Sequence, residues 1–122
     1  MSVRDGYYAG WRGLEYEASP DGDRIRLYTG VAAEGFTEVV PGRHVRVVPR
    51  REVDHLCYVT TWCTWRGEPF QVLGEQNGWL RVEYAGSDPE APRRLGLEAF
   101  DVDVHQGWVR RGEVSDLREE RW

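Results

Sequence analysis

The chain carries one stretch twice: residues 48–56 read VPRREVDHL, and residues 109–117 read VRRGEVSDL. The two stretches align without a gap at an offset of 61. A repeat has to be recognised before the fold is assigned, because each copy is then one structural unit. This match predicts that both halves of the chain end in the same local structure.

Further blocks repeat in the same order upstream of that stretch. The triplet Trp-Arg-Gly at residues 11–13 returns at residues 65–67, an offset of 54. A strand-like segment at residues 25–28 matches residues 80–83 at an offset of 55. The offset grows only across turns and one loop, where insertions are tolerated. We therefore predict an internal duplication.

The hydrophobic pattern within each copy has a period of two, which is typical of β-strands. Asn77-Gly78 is a strong hairpin signal, because a type I′ turn needs a positive φ at both central residues. Asp21-Gly22 with Asp23 marks the equivalent turn in the first copy. The many glycines and prolines leave little room for long helices, and only residues 115–121 suggest a helical turn. The predicted fold class is all-β.

Length and charge limit the function classes. The chain has 122 residues and 40% hydrophobic residues, enough for a modest core. Its repeats are predicted at residues 1–56 and 57–122, the second with a short C-terminal tail. The net charge of −5 argues against a nucleic-acid partner, because phosphate contacts need a basic patch. We expect a protein partner, neither nucleic acid nor membrane, and leave the oligomeric state open.

The segment at residues 106–111 followed by residues 113–117 resembles the last strands of bacterial Src-homology-3-like domains. There a Gly-Trp-Val strand leads through a short turn into a closing strand. The resemblance implies a tandem duplication of a small five-stranded Src-homology-3-like barrel, with the two repeats packed together. A single intertwined β-sandwich is the structural alternative.

The whole-chain pattern is similar to small two-repeat proteins of Gram-positive bacteria. Each repeat of that family has an aromatic-x-Gly-x-x-aromatic element, an Asp-Gly or Asn-Gly turn, a Gly-Phe pair and a terminal Glu-Val. Here Gly96-Leu97 departs from the Gly-Phe pair, which concerns packing. The resemblance implies an immunity partner of a polymorphic toxin and carries no catalytic residues with it.

Chemical sites have weak support in the sequence. His55 and Cys57 would share a strand face with Cys63, and His105 could approach, but the usual zinc spacings are missing. A cysteine–histidine nucleophile pair needs an exposed thiol, whereas the alternation predicts buried ones. Asp101 and Asp103 could be read as a pair of hydrolytic carboxylates, but two acidic residues two positions apart on a strand are more often simply solvated. We expect no enzyme activity, no metal site and no cofactor.

The aromatic residues fall into two predicted groups. Four tryptophans are expected in the core, because they lie at core-like positions or at strand starts. Three aromatic residues are expected on the opposite face, either between the repeats or against a partner. The core group is Trp11, Trp65, Trp79 and Trp108, and the other group is Tyr8, Tyr58 and Trp62.

Acidic residues of the second half complete the predicted binding surface. Glu98, Asp101 and Asp103 would form an acidic rim that docks on a basic toxin surface and speeds encounter. The first hypothesis is a non-enzymatic immunity protein that occludes a toxin domain. The alternative is a Src-homology-3-like module for peptide or cell-wall ligands. The N-terminus lacks a signal-peptide pattern, which predicts a cytoplasmic location.

Overall fold

A computed structural model of the chain describes residues 3–122 and is all-β apart from short helical turns. Its eleven strands are β1 Gly6–Trp11, β2 Leu14–Asp21, β3 Arg24–Thr29, β4 Thr37–Val40, β5 Arg43–Pro49, β6 His55–Trp65, β7 Glu68–Gln76, β8 Trp79–Tyr84, β9 Glu98–Asp101, β10 Val104–Arg110 and β11 Ser115–Arg121. One short helix, α1 (Ala91–Arg94), and two 3-10 turns, Arg50–Glu52 and Arg111–Glu113, join them. The all-β prediction is confirmed.

The strands form one antiparallel sheet in the order β4-β5-β3-β2-β1-β6-β7-β8-β10-β9, and β11 pairs with β6. The path has two ends, β4 and β9, so the sheet does not close on itself. None of the helices in residues 3–122 is long and apolar enough to cross a membrane.

The chain divides into two compact units. The N-terminal unit is Gly6–Val59 with Trp122, and the C-terminal unit is residues 3–5 with Thr60–Arg121. The order of elements is the same in both. β1, β2, β3, β4 and β5 have their counterparts in the second half of β6, β7, β8, β9 and β10. A 3-10 turn and a final strand follow in each unit, the first half of β6 in one and β11 in the other.

The first hairpin of each unit turns on the repeated triplet. Arg12 has a φ of 51° and Gly13 of 81°, and Arg66 and Gly67 repeat these values at 50° and 78°. Positive φ at both central residues is the requirement of a type I′ turn, whose twist matches that of the strands. The predicted Asn77-Gly78 turn is confirmed, with φ values of 51° and 81°. Each Trp-Arg-Gly triplet therefore sets the register of one hairpin.

Each unit has its own hydrophobic core, built from equivalent positions. Trp11, Ile25 and Val48 belong to the N-terminal core. The offsets of the repeat align them with Trp65, Leu80 and Val109, which belong to the other core. Alternate residues of β3, β5, β8 and β10 point inward, because side chains of a strand alternate between its faces. The full buried sets are Ala9, Trp11, Ala18, Ile25, Leu27 and Val48 in one unit, and Cys63, Trp65, Phe70, Val72, Leu80, Val82 and Val109 in the other.

The repeated stretch at residues 48–56 and 109–117 has the same backbone hydrogen bonds in both units. The Arg50 N–H donates to the Asp23 carbonyl at 2.8 Å, and the Arg111 N–H donates to the Gly78 carbonyl at 2.9 Å. Each bond joins the start of a 3-10 turn to the β-hairpin turn that precedes β3 or β8. The stretch thus fixes where the final strand of each unit begins.

Two local expectations were wrong or incomplete. Residues 115–121 form strand β11 and not a helical turn, because β11 completes the pairing on β6. Tertiary pairing overrides the helix propensity of this charged segment. The C-terminal unit also carries α1 in a longer connection between β8 and β9. The increase in the repeat offset predicts an insertion at this place, but it does not predict that the insertion contains a helix.

Candidate functional site

Three exposed aromatic side chains lie on the outer face of β8, β10 and β9, in the C-terminal unit. Trp79 on β8 is 37% exposed, Trp108 on β10 is 48% exposed and Phe100 on β9 is 57% exposed. The neighbouring residues Leu80 and Val109 point the other way, into the core. Strand alternation therefore separates a folding face from an outward face that holds three large rings.

Strand register sets an arginine beside each of these rings. Trp79 pairs with Arg110 across β8 and β10, and Arg81 pairs with Trp108. The Arg110 guanidinium carbon lies 4.5 Å from the centre of the Trp79 ring, and that of Arg81 lies 4.9 Å from Phe100 and 5.5 Å from Trp108. We call these five residues the aromatic–arginine ladder. Cation–π contacts of this kind hold exposed rings in place.

A polar chain continues the ladder along the same strands. Arg81 Nη2 donates to Gln106 Oε1 at 3.2 Å, and Gln106 Nε2 donates to Glu83 Oε1 at 2.9 Å. Glu83 also affects a nearby carboxyl, because burial and the Glu83 charge together raise the pKa of Asp5. The ladder thus ends in side chains whose positions are fixed by hydrogen bonds.

The predicted acidic residues lie beside the ladder. Glu98 and Asp101 stand on β9 on either side of Phe100, and Asp103 follows in the turn to β10, all three exposed. Asp103 has a φ of 60°, and the Asp101 carboxylate accepts a hydrogen bond from the Val102 N–H at 2.7 Å. The β9–β10 hairpin therefore carries the predicted acidic rim next to an aromatic surface.

A shallow cavity opens at the tryptophan end of the ladder. It has a volume of about 260 Å³ and is lined by Gln76, Asn77, Trp79 and Trp108. Asn77 belongs to the β7–β8 turn, so the hairpin and two indole rings together form its wall. Aromatic rings with a few amide groups suit a small apolar or proline-containing ligand.

A second cavity of about 330 Å³ lies under the long connection between β8 and β9, with Tyr84, Asp88 and His105 among its lining residues. The Tyr84 hydroxyl donates to Glu68 Oε2 at 3.1 Å and accepts from the Asp88 N–H at 3.2 Å. Burial raises the pKa of this hydroxyl. These two hydrogen bonds hold the connection in place.

The three aromatic residues predicted to share a face do not do so. Tyr58 pairs with Tyr7 across β1 and β6, and their rings meet edge to face at 4.9 Å. Tyr8 pairs with Cys57 and so points to the opposite side from Tyr58. Trp62 belongs to the C-terminal unit, is half-buried, and donates from Nε1 to Thr60 Oγ1 at 2.8 Å. The prediction missed the register of β1 on β6, and Tyr7, not Tyr8, is the partner of Tyr58.

The core prediction for the tryptophans was half right. Trp11 and Trp65 are 4% and 7% exposed, as expected, whereas Trp79 and Trp108 are outward members of the ladder. Leu80, Val82 and Val109 take the inward positions of β8 and β10. The sequence contained the information on which residues of β8 face inward. Leu80 and Val82 alternate with charged residues that must face water, so Trp79 shares the outward face with those charged residues.

The structure does not bring together the four residues that the sequence analysis considered for a zinc site. Cys63 is buried in the C-terminal core, and burial raises the pKa of its thiol to about 11. Cys57 and Cys63 form no disulfide. In the part of the chain that the structure describes, one group of potential ligands meets closely: Glu15, His55 and Cys57. Sequence reasoning had paired two of these residues but missed Glu15, which reaches them from β2.

The comparisons with known proteins identify a family without an assigned activity. Residues 3–121 match the family described as uncharacterised conserved protein UCP033725, and the chain belongs to it. No curated protein and no solved structure matches the chain.

Proposed function

We propose that this member of the family is a non-enzymatic binding protein of the immunity type, which neutralises a toxin domain by covering its functional surface. The observation that carries the proposal is the aromatic–arginine ladder with its acidic neighbours. Trp and Arg dominate the energetics of protein interfaces, and exposed rings grouped on one face mark interaction sites. A rigid outward surface of this kind is suited to gripping a partner.

The charges favour a basic partner surface. Glu98, Asp101 and Asp103 are exposed beside Phe100, and the whole chain carries a net charge of −5. Acidic residues around an aromatic centre attract a cationic surface during encounter and are then partly screened at the rim. A toxin that acts on nucleic acid presents such a cationic surface around its active site, because it must bind phosphates.

The proposal includes the origin and the location of the protein. We infer that the two units are copies of one Src-homology-3-like ancestor. The equivalent element order, the two Trp-Arg-Gly hairpins and the paired core positions support this inference. A cytoplasmic location is also proposed, supported by two thiols that form no disulfide.

The test searches the genes beside that of this chain for a toxin domain and co-expresses the two proteins. Co-expression should restore growth, and the two proteins should co-purify as a complex. Trp108→Val should weaken the complex at least ~30-fold, because a central tryptophan contributes at least about 2 kcal/mol to an interface. Val47→Ala is the matched control, since Val47 is the exposed residue at the equivalent position of the N-terminal unit.

The proposal fails if the toxin still arrests growth and no complex forms. If neither Trp108→Val nor Val47→Ala changes the affinity for the toxin domain, the ladder is not the binding surface. A charge test separates the rim from the ladder. Replacing Glu98, Asp101 and Asp103 with their amides should slow association and reduce its dependence on salt, with less effect on dissociation.

The shallow cavity between Trp79 and Trp108 favours a second candidate, a recognition module for peptide or cell-wall ligands. Proline-rich peptides dock in grooves lined by aromatic rings, and their pre-formed helix lowers the entropic cost of binding. A proline-rich peptide library screened by tryptophan fluorescence would test it. Saturable binding that Trp79→Ala abolishes supports this function, whereas binding that survives this substitution rules out the cavity.

A further inference from the structure

Three potential metal ligands meet on the N-terminal unit, where β2, β1 and β6 lie side by side. Glu15 stands on β2, and His55 and Cys57 stand on β6. Their carboxylate oxygen, imidazole nitrogen and thiol sulfur all lie within 4.8 Å of one another. His55 Nε2 and Glu15 Oε2 are 3.2 Å apart. These three groups belong to a different unit from the ladder, and the inference drawn from them is independent of the proposed function.

The register of the sheet explains why the three side chains meet. His55 and Cys57 are two residues apart on one strand and therefore point to the same side. Gly10 of β1 pairs with Glu15 on one side and with His55 on the other. A Cβ on Gly10 would lie 2.3 Å from Cε1 of His55, so the imidazole occupies the space that Gly10 leaves open. The missing side chain allows His55 to reach across β1 to Glu15.

We propose that Glu15, His55 and Cys57 form a Zn²⁺ site. Zinc binds carboxylate oxygen, imidazole nitrogen and thiolate sulfur in a tetrahedron. Two ligand atoms about 2.1 Å from the ion in that geometry are about 3.4 Å apart. The distance between His55 Nε2 and Glu15 Oε2 meets this requirement. His55 is exposed, so the fourth position of the tetrahedron is open to water or to a further ligand.

Cys57 has to give up its proton when the ion binds. In the structure its sulfur donates to the Tyr8 carbonyl at 3.7 Å. Binding replaces this weak hydrogen bond with a sulfur–zinc bond and releases one proton to solvent. His55 then coordinates through the nitrogen that faces Glu15. The ion thereby joins β2 to β6 across the glycine of β1.

The C-terminal unit lacks the equivalent site. Pro69 takes the place of Glu15, and Thr64 takes the place of Gly10. Asp116 and Arg118 stand where His55 and Cys57 stand, and Arg118 Nη1 forms an ion pair with Asp116 Oδ2 at 2.8 Å. An arginine occupies the position of the sulfur ligand, so this unit cannot hold a cation there. The proposal therefore predicts one ion per chain.

The experiment is a Co²⁺ titration of the untagged, reduced chain, because cobalt takes tetrahedral zinc sites and reports on sulfur ligation. We expect one equivalent to bind with a sulfur-to-cobalt charge-transfer band that Zn²⁺ removes by competition. Cys57→Ser should abolish the band. Cys63→Ala is the matched control and should keep it, since Cys63 lies in the core of the C-terminal unit. Glu15→Gln should lower the affinity for Zn²⁺ at least ~10-fold.

A fourth variant tests the role of the glycine without changing a ligand. Gly10→Ala should displace the imidazole and weaken Zn²⁺ binding by ~10- to 100-fold, while far-ultraviolet circular dichroism stays unchanged. A chain that shows no band overturns the proposal, as does a band that survives in Cys57→Ser or disappears in folded Cys63→Ala. Binding without sulfur ligation overturns it as well, since it would assign the ion to other groups.

Discussion

The two units share their inward residues but not their outward ones. Ile25 and Leu80 are both completely buried at equivalent positions, and so are Leu27 and Val82. On the outer face, by contrast, Trp108 of the C-terminal unit replaces Val47 of the N-terminal unit, although both are exposed. The inward face fixes the fold of each unit. The outward face is where the residues of the two units differ.

The same contrast extends to the rest of the ladder. Phe100 stands where the N-terminal unit has Val39, and Trp79 stands where it has Arg24. Arg81 has a counterpart in Arg26, which pairs with Asp21 at 3.5 Å instead of lying over rings. An arginine at this position is therefore compatible with both units. The rings distinguish the C-terminal unit as the one suited to an interface.

The largest expected effect concerns the cores. Phe70 is completely buried and contacts the rings of Trp65 and Tyr84, whereas its counterpart Tyr16 is half-buried and stacks on Phe36. Phe70→Ala should lower the free energy of unfolding by about 3–5 kcal/mol. Tyr16→Ala should cost about half as much, because less of its ring leaves water on folding. Urea unfolding followed by circular dichroism measures both.

Equal losses for these two variants would contradict the comparison, because they would show that the cores depend equally on this position. A smaller loss for Phe70→Ala would reverse it. Leu80→Ala and Ile25→Ala are the matched controls. Both residues are completely buried, so their losses should agree within about 1 kcal/mol.

A second pair of variants compares the glycines that precede Phe36 and Leu97. Gly35 has a φ of 80° and Gly96 a φ of 71°, so alanine is strained at both positions, by about 1–2 kcal/mol. A Cβ on Gly96 would meet open space. One on Gly35 would lie 1.8 Å from Nη1 of Arg46, whose guanidinium lies over the Trp11 ring. Gly35→Ala should therefore cost about 0.5–1 kcal/mol more than Gly96→Ala, measured by thermal unfolding.

Equal destabilisation by the two glycine variants would mean that Arg46 moves aside without loss. The variant Arg46→Ala distinguishes the two contributions. In that background the difference between Gly35→Ala and Gly96→Ala should disappear, because the side chain that the new Cβ would strike is gone.

The sequence predicts the buried residues of the two units better than it predicts their exposed residues. Repeated blocks and period-two alternation located the strands, the Asn77-Gly78 turn and the buried pair Trp11 and Trp65. These features depend on local pattern and burial, which a single sequence carries. The alternation also contained the phase of β8, but the prediction placed Trp79 and Trp108 in the core because they lie at core-like positions or at strand starts. Trp79 and Trp108 show that an arginine partner across the strand can hold a ring outside.

Features that depend on strand register were not available from the sequence. A shift of one residue reverses every side chain of a strand, so the pairing of β1 with β6 decides whether Tyr7 or Tyr8 meets Tyr58. The same register carries Glu15 to His55 across Gly10, between residues 40 positions apart in the chain. The acidic residues Glu98, Asp101 and Asp103 could be grouped from the sequence because they lie close together in it. The aromatic residues beside them were not.

The last expected effect is a pH dependence of stability that distinguishes the two cores at high pH. Cys63 stands at the position equivalent to Ala9, and burial raises the pKa of its thiol from 9.0 to about 11. Below pH 9 the thiol is protonated in both folded and unfolded chains, so it adds no pH dependence. Between pH 9 and about 11 the unfolded chain loses this proton while the folded chain retains it, and stability falls as the pH rises.

Cys63→Ala should therefore lose about 1 kcal/mol below pH 9 through the missing sulfur, and this deficit should shrink as the pH approaches 11. Urea unfolding of both proteins at pH 7, 9 and 10.5 measures the difference. The first value lies below the interval in which the thiol titrates, the second at its start and the third inside it. Cys57→Ala is the control, because Cys57 lies outside both buried cores. A deficit that stays constant from pH 7 to 10.5 would show that Cys63 titrates alike in folded and unfolded chains, and the C-terminal core would then be as accessible to solvent as the unfolded state at this position.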